Sequence, residues 1–459
     1  MSSSTPPDLD PPKTSLRQRL LGAARWTLLG HFAAQLLRFG SNLILTRLLA
    51  PDLFGVMSIG YMAFTGLAMM SDLALGAVVA RSRRGDEPLF LNVVWVAQIG
   101  RGALMTLGAL GLSAALWLGA GNALFPAHSV YADPRLPGLL ATVSLFGIIE
   151  GLESTKSLWV RRHLSLATLT KIDLIAQVGT TAFILTWAWF DPSIWALGIG
   201  WVFGALLRTV LTHWVLPGPS NRFEWERAAF AEIMAFGKWA LVSSPISFLL
   251  INGDRLLLAA LLGANEMGFY SIALLLTTAI QSLVLKLTGQ SVQPALSEVV
   301  RERPQDLKRT LYRIRLPLDV MCAVPAGALF ILGGPIVKLL YDNRYQPAGW
   351  MLSVLALTLA LTQLNVFDQC VIALGRIRTL SALNFVRLFA LYASIPLFYV
   401  LWGAPGAIIA VPASAFANLI LQLPLQARLN LLDLRRELRI VPLFAGGLAM
   451  GGLLRLALP

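Results

Sequence analysis

Charge is scarce in this chain: 13% of its 459 residues are Asp, Glu, Lys or Arg, against about 25% in soluble globular domains. Cysteine is nearly absent. Cys322 and Cys370 both fall inside apolar runs, so they offer neither a disulfide framework nor metal-ligand spacing. The four histidines, His31, His128, His163 and His213, are scattered, and no H-E-x-x-H or G-x-x-x-x-G-K-S/T stretch occurs. Zinc-dependent hydrolysis and phosphate-loop ATP hydrolysis therefore have no motif here. Long polar stretches are missing too. The longest connections, about 217–237 and 297–315, are too short to fold as a domain for a nucleotide or an activated sugar. The alternating ten-residue segments of a membrane barrel are not found. No small-residue cleavage site follows a short apolar core, so no removable signal peptide is read. The Ser/Pro-rich stretch 1–14 is expected to be disordered.

What fills the chain is apolar: 56% of residues, with a mean hydropathy of +0.68. Thirteen runs near or above the roughly 20 residues that cross a bilayer are read at about 24–48, 56–80, 89–118, 136–160, 164–190, 193–216, 238–262, 267–295, 316–340, 347–374, 379–402, 404–426 and 440–457. The class is an all-α polytopic membrane protein. A net charge of +13 could suggest nucleic acid, but its placement argues otherwise. With the N-terminus inside, the inward connections carry 23 Lys and Arg, and the outward ones carry two, Arg135 and Arg344. That bias follows the positive-inside rule and predicts a cytoplasmic N-terminus. The basicity is topogenic, and no nucleic-acid partner is expected.

The chain divides after its sixth run. "LLAPDLFGVMSI" (48–59) aligns with "LLGANEMGFYSI" (261–272) at a shift of 213, with Leu48/Leu261, Leu49/Leu262, Gly55/Gly268, Ser58/Ser271 and Ile59/Ile272 identical. A fainter echo joins "SLATLTKI" (165–172) to "TLSALNFV" (379–386). Six runs per half is an even number, so both halves enter the membrane the same way. Such parallel repeats are related by a pseudo-two-fold along the membrane normal, with a site expected between them. The expected organisation is a tail 1–19, a first six-helix lobe 20–216, a cytoplasmic linker 217–237, a second six-helix lobe 238–427, and a basic linker with a short thirteenth helix over 428–459.

Polar groups inside the apolar runs mark the candidate site, because a charge at the bilayer centre costs about 2.5–3.5 kcal/mol and turns towards protein or water. In the first run His31, Gln35, Arg38, Asn42 and Thr46 recur at steps of four, three, four and four, which is one helix face. Thr278, Ser282, Lys286 and Gln290 make a similar stripe in the eighth. Asn384 and Arg387 share a face of the eleventh, and Arg255 stands beside Asp254 in the seventh. Arg38, Arg255, Lys286 and Arg387, with Gln35 and Asn42, form the expected substrate-binding set of a cationic cavity. A guanidinium fork suits phosphate oxygens and stays charged. Two other readings stay open: Arg38 pairing with Asp72 or Asp173, and Arg387 snorkelling to the interface. Asp173 and Asp368 are the candidates for carrying a coupling proton or sodium ion. Glu153 and Lys156 are expected to pair at i, i+3. The thirteen tryptophans are read as interface and packing residues.

The stretches "LTRLLAPDLFG" (45–55), "SDLALG" (71–76), "WALGIGWVFGALLRT" (195–209), "NGDRLLLAALLGANEMGFYSIA" (252–273), "VQPALS" (292–297) and "LLYDNRYQPAGWML" (339–352) resemble, in order, the bacterial oligosaccharide flippases of the multidrug/oligosaccharidyl-lipid/polysaccharide exporter superfamily. The resemblance covers about residues 20–430. It implies two six-helix lobes facing each other in a V, alternating access, and a lipid-linked sugar as cargo. Members commonly have fourteen helices, and thirteen are read here.

The function expected is flipping of an undecaprenyl-diphosphate-linked oligosaccharide for surface polysaccharide synthesis, with no resident cofactor. Coupling to the membrane potential, protons or sodium, and contact with a polysaccharide polymerase, are expected possibilities. The nearest rival is an ion-coupled drug or metabolite exporter, which calls for an acidic cavity; the clustered cations lean against it. A membrane glycosyltransferase or polymerase would need catalytic carboxylates near an outer face, usually with a large loop, and the outward connections are short.

Overall fold

A chain this poor in charge satisfies its backbone within helices, since lipid supplies no hydrogen-bond partners. The computed structural model describes residues 16–121, 125–163 and 165–457, and among them no strand occurs. The stretch 1–14, expected to be disordered, lies outside the described residues. The first half comprises α1 (Leu16–Leu48), α2 (Pro51–Met70), α3 (Leu75–Arg81), α4 (Pro88–Gly121), α5 (Arg135–Gly151), α6 (Lys156–Arg162), α7 (Leu166–Phe190) and α8 (Ile194–Val215). The second comprises α9 (Arg227–Leu261), α10 (Ala264–Leu287), α11 (Gln293–Glu302), α12 (Leu307–Leu340), α13 (Ala348–Leu361), α14 (Asn365–Ala373), α15 (Ile377–Arg428), α16 (Leu434–Glu437) and α17 (Ile440–Ala457).

Among the described residues ten helices are long and apolar enough to cross a membrane, or eleven when α5 and α6, bent by 59°, count as one span. The sequence reading gave thirteen, and the difference has two causes. The polar stripe through α1 lowers its hydropathy. The eleventh and twelfth runs share one continuous helix, α15, broken at Gly403, whose φ of 66° lies in the left-handed region. Gly406 sits so close to the carbonyl of Phe398 that a side chain there would overlap it, which tightens the reversal.

Equivalent helices pack alike in the two halves. The α1–α7 contact is matched by α9–α15, α4–α5 by α12–α13, and α5–α8 by α13–α15. The halves meet where α2 packs against α10 and α9. At the end carrying the α1–α2 and α9–α10 turns, the repeated motif packs against itself. A Cβ on Gly55 would overlap the carbonyl of Ala264, and a Cβ on Gly268 would overlap the carbonyl of Pro51. The Val130 amide donates to Leu262 O (3.2 Å), while the Tyr345 hydroxyl donates to Leu49 O (2.9 Å). Leu49 and Leu262 are themselves repeat mates. Tyr131 adds a bond to Leu256 O (3.0 Å), and Arg344 one to Arg47 O (3.1 Å). This turn end is closed by backbone-to-backbone contact.

The last helix is docked along its length. Gly447 lies against the carbonyl of Val324 and Gly327 against that of Phe444, so α17 lies along α12 at close range. Ahead of it, Glu437 of α16 receives Arg315 (2.7 Å) and the Tyr312 hydroxyl (2.9 Å), and Arg315 also bonds Asp319 (3.1 Å). Arg315 is only 3% exposed, so this cluster is a buried clasp rather than a loose interfacial charge.

Candidate functional site

Six helices of the first half and one side chain of the second line an open cavity of about 980 Å³. α1 contributes Gly30, Ala34 and Arg38 at steps of four, so that of its polar stripe, among the described residues, only Arg38 lines the cavity. α8 contributes Trp201, Gly204, Ala205 and Arg208 at i, i+3, i+4 and i+7. α2 brings Met57 and Tyr61, α5 brings Phe146, and α7 brings Thr170, Asp173, Gln177 and Thr180. Lys286 of α10 completes the wall from the opposite half, and Arg161 stands at its basic edge.

Of the residues expected from sequence, Arg38, Lys286 and Asp173 are brought together here. Arg38 is exposed to the cavity, and among the described residues neither it nor Lys286 makes an ion pair. The partners weighed for Arg38 are engaged elsewhere. Asp72 accepts the Ala74 amide (2.8 Å) and the Ser244 hydroxyl (3.2 Å), and Asp173 accepts Arg208 Nε (2.9 Å). Arg38 and Lys286 are like charges lining one cavity. Two cations of one cavity that make no ion pair among the described residues suit an anionic ligand.

The remaining expected residues are placed elsewhere. Arg387 grips both Asp368 oxygens (2.8 Å each) and also bonds Asn418 (2.6 Å) and Asn384 (3.1 Å). Gln422 donates to the same Asp368 carboxylate (3.1 Å). Arg387 and Asp368 thus neutralise one another inside the second half and line neither described cavity. Arg255 bonds Asn252 (3.2 Å), and its neighbour Asp254 receives the Tyr270 hydroxyl. Asn42 accepts from Tyr341 (3.3 Å) near the closed turn end, and Gln35 is half-buried outside the lining. The His31 and Gln290 side chains lie outside the described residues. Asp368→Ala is expected to cost about 3 kcal/mol of stability by leaving Arg387 unpaired, read as a lower melting temperature in detergent, with Asp368→Asn/Arg387→Met recovering most of the loss.

Arg208 and Arg161 were not singled out by sequence reasoning. Arg208 lies seven residues from Trp201, so the stripe logic used on α1 would have found it. It bonds both Asp173 and Glu153. The expected Glu153–Lys156 pair does not form, because α5 ends at Gly151 and the chain turns before α6. Lys156 Nζ instead donates to His213 O (2.8 Å). The Gln98 amide satisfies the carbonyls freed at this break, those of Glu150, Gly151 and Glu153 (2.9–3.2 Å). A smaller cavity of about 380 Å³ adjoins, sharing Arg161 and Arg208 and adding Asp72, Arg101, Glu150 and Glu153. Among the described residues no group of three or more His, Cys, Asp or Glu side chains could hold a metal. Open and water-accessible, with four cations in its lining against one carboxylate, the larger cavity can take a phosphate group with bidentate arginine contacts.

Residues 44–349 match the protein family described as Polysaccharide biosynthesis protein. The amylovoran biosynthesis protein AmsL of Erwinia amylovora is 24% identical over 51% of this chain and 60% of its own length. The lipopolysaccharide biosynthesis protein WzxC of Escherichia coli K12 is 20% identical over 72% of this chain and 65% of its own. The chain thus spans somewhat less than two thirds of these two relatives. Among solved structures, the lipid II flippase MurJ in an inward closed conformation superposes with a TM-score of 0.64 at 11% identity, covering 95% of this chain and 93% of that one. The identity is low, and the likeness is one of fold.

Proposed function

The chain belongs to the Polysaccharide biosynthesis protein family, and from that premise we propose that it flips an undecaprenyl-diphosphate-linked oligosaccharide from the cytoplasmic to the outer face of the bacterial inner membrane. The observation that carries the proposal is a pair of cations, Arg38 and Lys286, that make no ion pair among the described residues and are contributed to one cavity by opposite halves. The diphosphate docks between them, with Arg208 and Arg161 completing the positive wall. The polyprenyl tail stays in lipid. With the basic connections facing the cytoplasm, the closed turn end faces outwards and the cavity loads from inside.

Alternating access then means parting the α1–α2 and α9–α10 turns while the basic end closes. An anion held by both halves favours their approach, which couples loading to the change. Moving about two negative charges outward across the whole field is favoured by up to ~4.6 kcal/mol per 100 mV. In this proposal the exchange of a proton or sodium ion falls to Asp173, which lines the cavity and is bonded to Arg208. A polysaccharide polymerase receiving the product outside would pull the cycle forward.

In cells lacking the protein, the lipid-linked repeat unit is expected to accumulate on the cytoplasmic face, and surface polysaccharide is expected to disappear. Both should return on expression of the wild type. Normal polysaccharide, with no accumulated lipid-linked unit, in a strain carrying no second exporter would contradict the proposal.

A further inference from the structure

The cations account for one part of the lining of the large cavity; another part is aromatic. Tyr61, Phe146 and Trp201 all line it. Trp201 is clamped on three sides, by Tyr61 at 5.0 Å, Phe146 at 4.7 Å and Phe64 at 5.4 Å between ring centroids. Phe64 also packs edge-on to Phe146 (4.9 Å) and is itself buried. The back of the cluster is therefore ordinary packing, but the front is not. Tyr61 is 48% exposed, and among the described residues its hydroxyl makes no hydrogen bond.

Their depth is set by the helices. α8 runs from the turn end at Ile194 to the basic end at Val215, so Trp201 lies about 10 Å nearer the closed end than Arg208, at 1.5 Å per residue. Tyr61, ten residues into α2 from the same end, lies about 15 Å from it. A cargo entering from the basic end passes Arg161 and Arg208 before it reaches the rings, and Arg38, ten residues from the turn end of α1, lies about as deep as Tyr61. Fixed, partly exposed rings with a free hydroxyl match a ligand that has an apolar face and a polar rim. A pyranose has this form: one face of C–H groups and a periphery of hydroxyls. An organic cation would also stack on such rings, but Arg38 and Lys286 line the same cavity and oppose it.

We infer that Trp201 and Tyr61 form a sugar-stacking subsite that binds the sugar attached to the diphosphate, so that the glycan as well as the phosphate determines which lipid is held. The inference rests on the proposed flippase reading. It assigns the recognition of sugar to the first half, and to two residues on different helices. It also gives Trp201 a role beyond the interface and packing functions expected of the tryptophans.

The test measures binding of purified protein in lipid nanodiscs to undecaprenyl diphosphate and to the same lipid bearing one glucose, galactose or N-acetylglucosamine. Wild type is expected to bind at least one sugar-bearing lipid about fivefold to tenfold more tightly than the bare lipid. Trp201→Ala is expected to abolish that preference, weakening the sugar-bearing lipid more than the bare one. Because Trp201 has a packed back, Tyr61→Leu at the exposed ring serves as the second variant, and Trp201→Phe should restore part of the preference. Arg38→Ala should weaken both lipids alike. Binding of the bare lipid with no sugar preference in wild type overturns the subsite alone, as does equal weakening of both lipids in well-folded Tyr61→Leu. Absence of binding by every diphosphate lipid overturns the flippase reading itself, and tight binding of tetraphenylphosphonium in its place assigns the rings to a cation.

Discussion

Arg38→Ala is expected to slow transbilayer movement of an undecaprenyl-diphosphate oligosaccharide about a hundredfold while leaving the melting temperature within a degree or two of wild type. The two halves of that expectation have separate grounds. Arg38 projects into the cavity and, among the described residues, pairs with no carboxylate, so its removal leaves no orphaned charge in the fold. A bidentate guanidinium–phosphate contact is charge-assisted on both sides, and losing it costs on the order of 2–3 kcal/mol of cargo stabilisation. Arg38→Lys keeps the charge and loses the fork, so an intermediate rate is expected. Arg208→Ala behaves differently, since Arg208 holds Asp173 and Glu153; both transport and stability should fall. Initial rates in proteoliposomes, set beside thermal melts of the same preparations, separate these cases. Unchanged transport by Arg38→Ala would remove it from the cargo site.

Gly268→Ala is expected to reduce transport at least tenfold through one added methyl group. A Cβ at that position overlaps the carbonyl oxygen of Pro51, as one on Gly55 overlaps that of Ala264. Both neighbours are backbone, so neither can rotate away, and the closed turn end cannot form as it stands. Alanine is otherwise favoured over glycine in a helix by about 1 kcal/mol, so each half should fold at least as well as before. The variant therefore biases the molecule towards an open turn end instead of unfolding it. The check is labelling of Thr46→Cys, buried at this end in the closed state, by a membrane-impermeant thiol reagent. Cys322 and Cys370 are buried and give a low background. Labelling should rise in the Gly268→Ala background and stay low with Gly111→Ala, where nothing lies within 4 Å of the added Cβ. Equal labelling and normal transport in both would mean that the turn contact is no gate.

Much of this arrangement was legible in the sequence, and for physical reasons. Apolar runs have no alternative to helix in lipid, so all thirteen reappear as helical segments, including the pair merged in α15. The turn repeat was visible because close backbone contact tolerates so little change, as Gly55 and Gly268 demonstrate. Arg38 and Lys286 were legible as polar stripes. What periodicity does not convey is whether a charged face meets a counter-charge. Arg387 and Asp368 lie on different runs, and only helix rotation decides that they meet. The break between α5 and α6 has no proline to announce it, which is why Glu153 and Lys156 looked like neighbours. Trp201 was indistinguishable from a packing residue until Tyr61, from a distant run, stood beside it.

The most direct measurement is transbilayer movement of undecaprenyl-diphosphate oligosaccharides by the purified protein in proteoliposomes, with a panel of glycans and an inside-negative potential. The account predicts that wild type moves at least one of them well above protein-free vesicles, faster with the potential imposed. No movement of any such lipid, together with gradient-driven export of an organic cation by the same preparation, would contradict it.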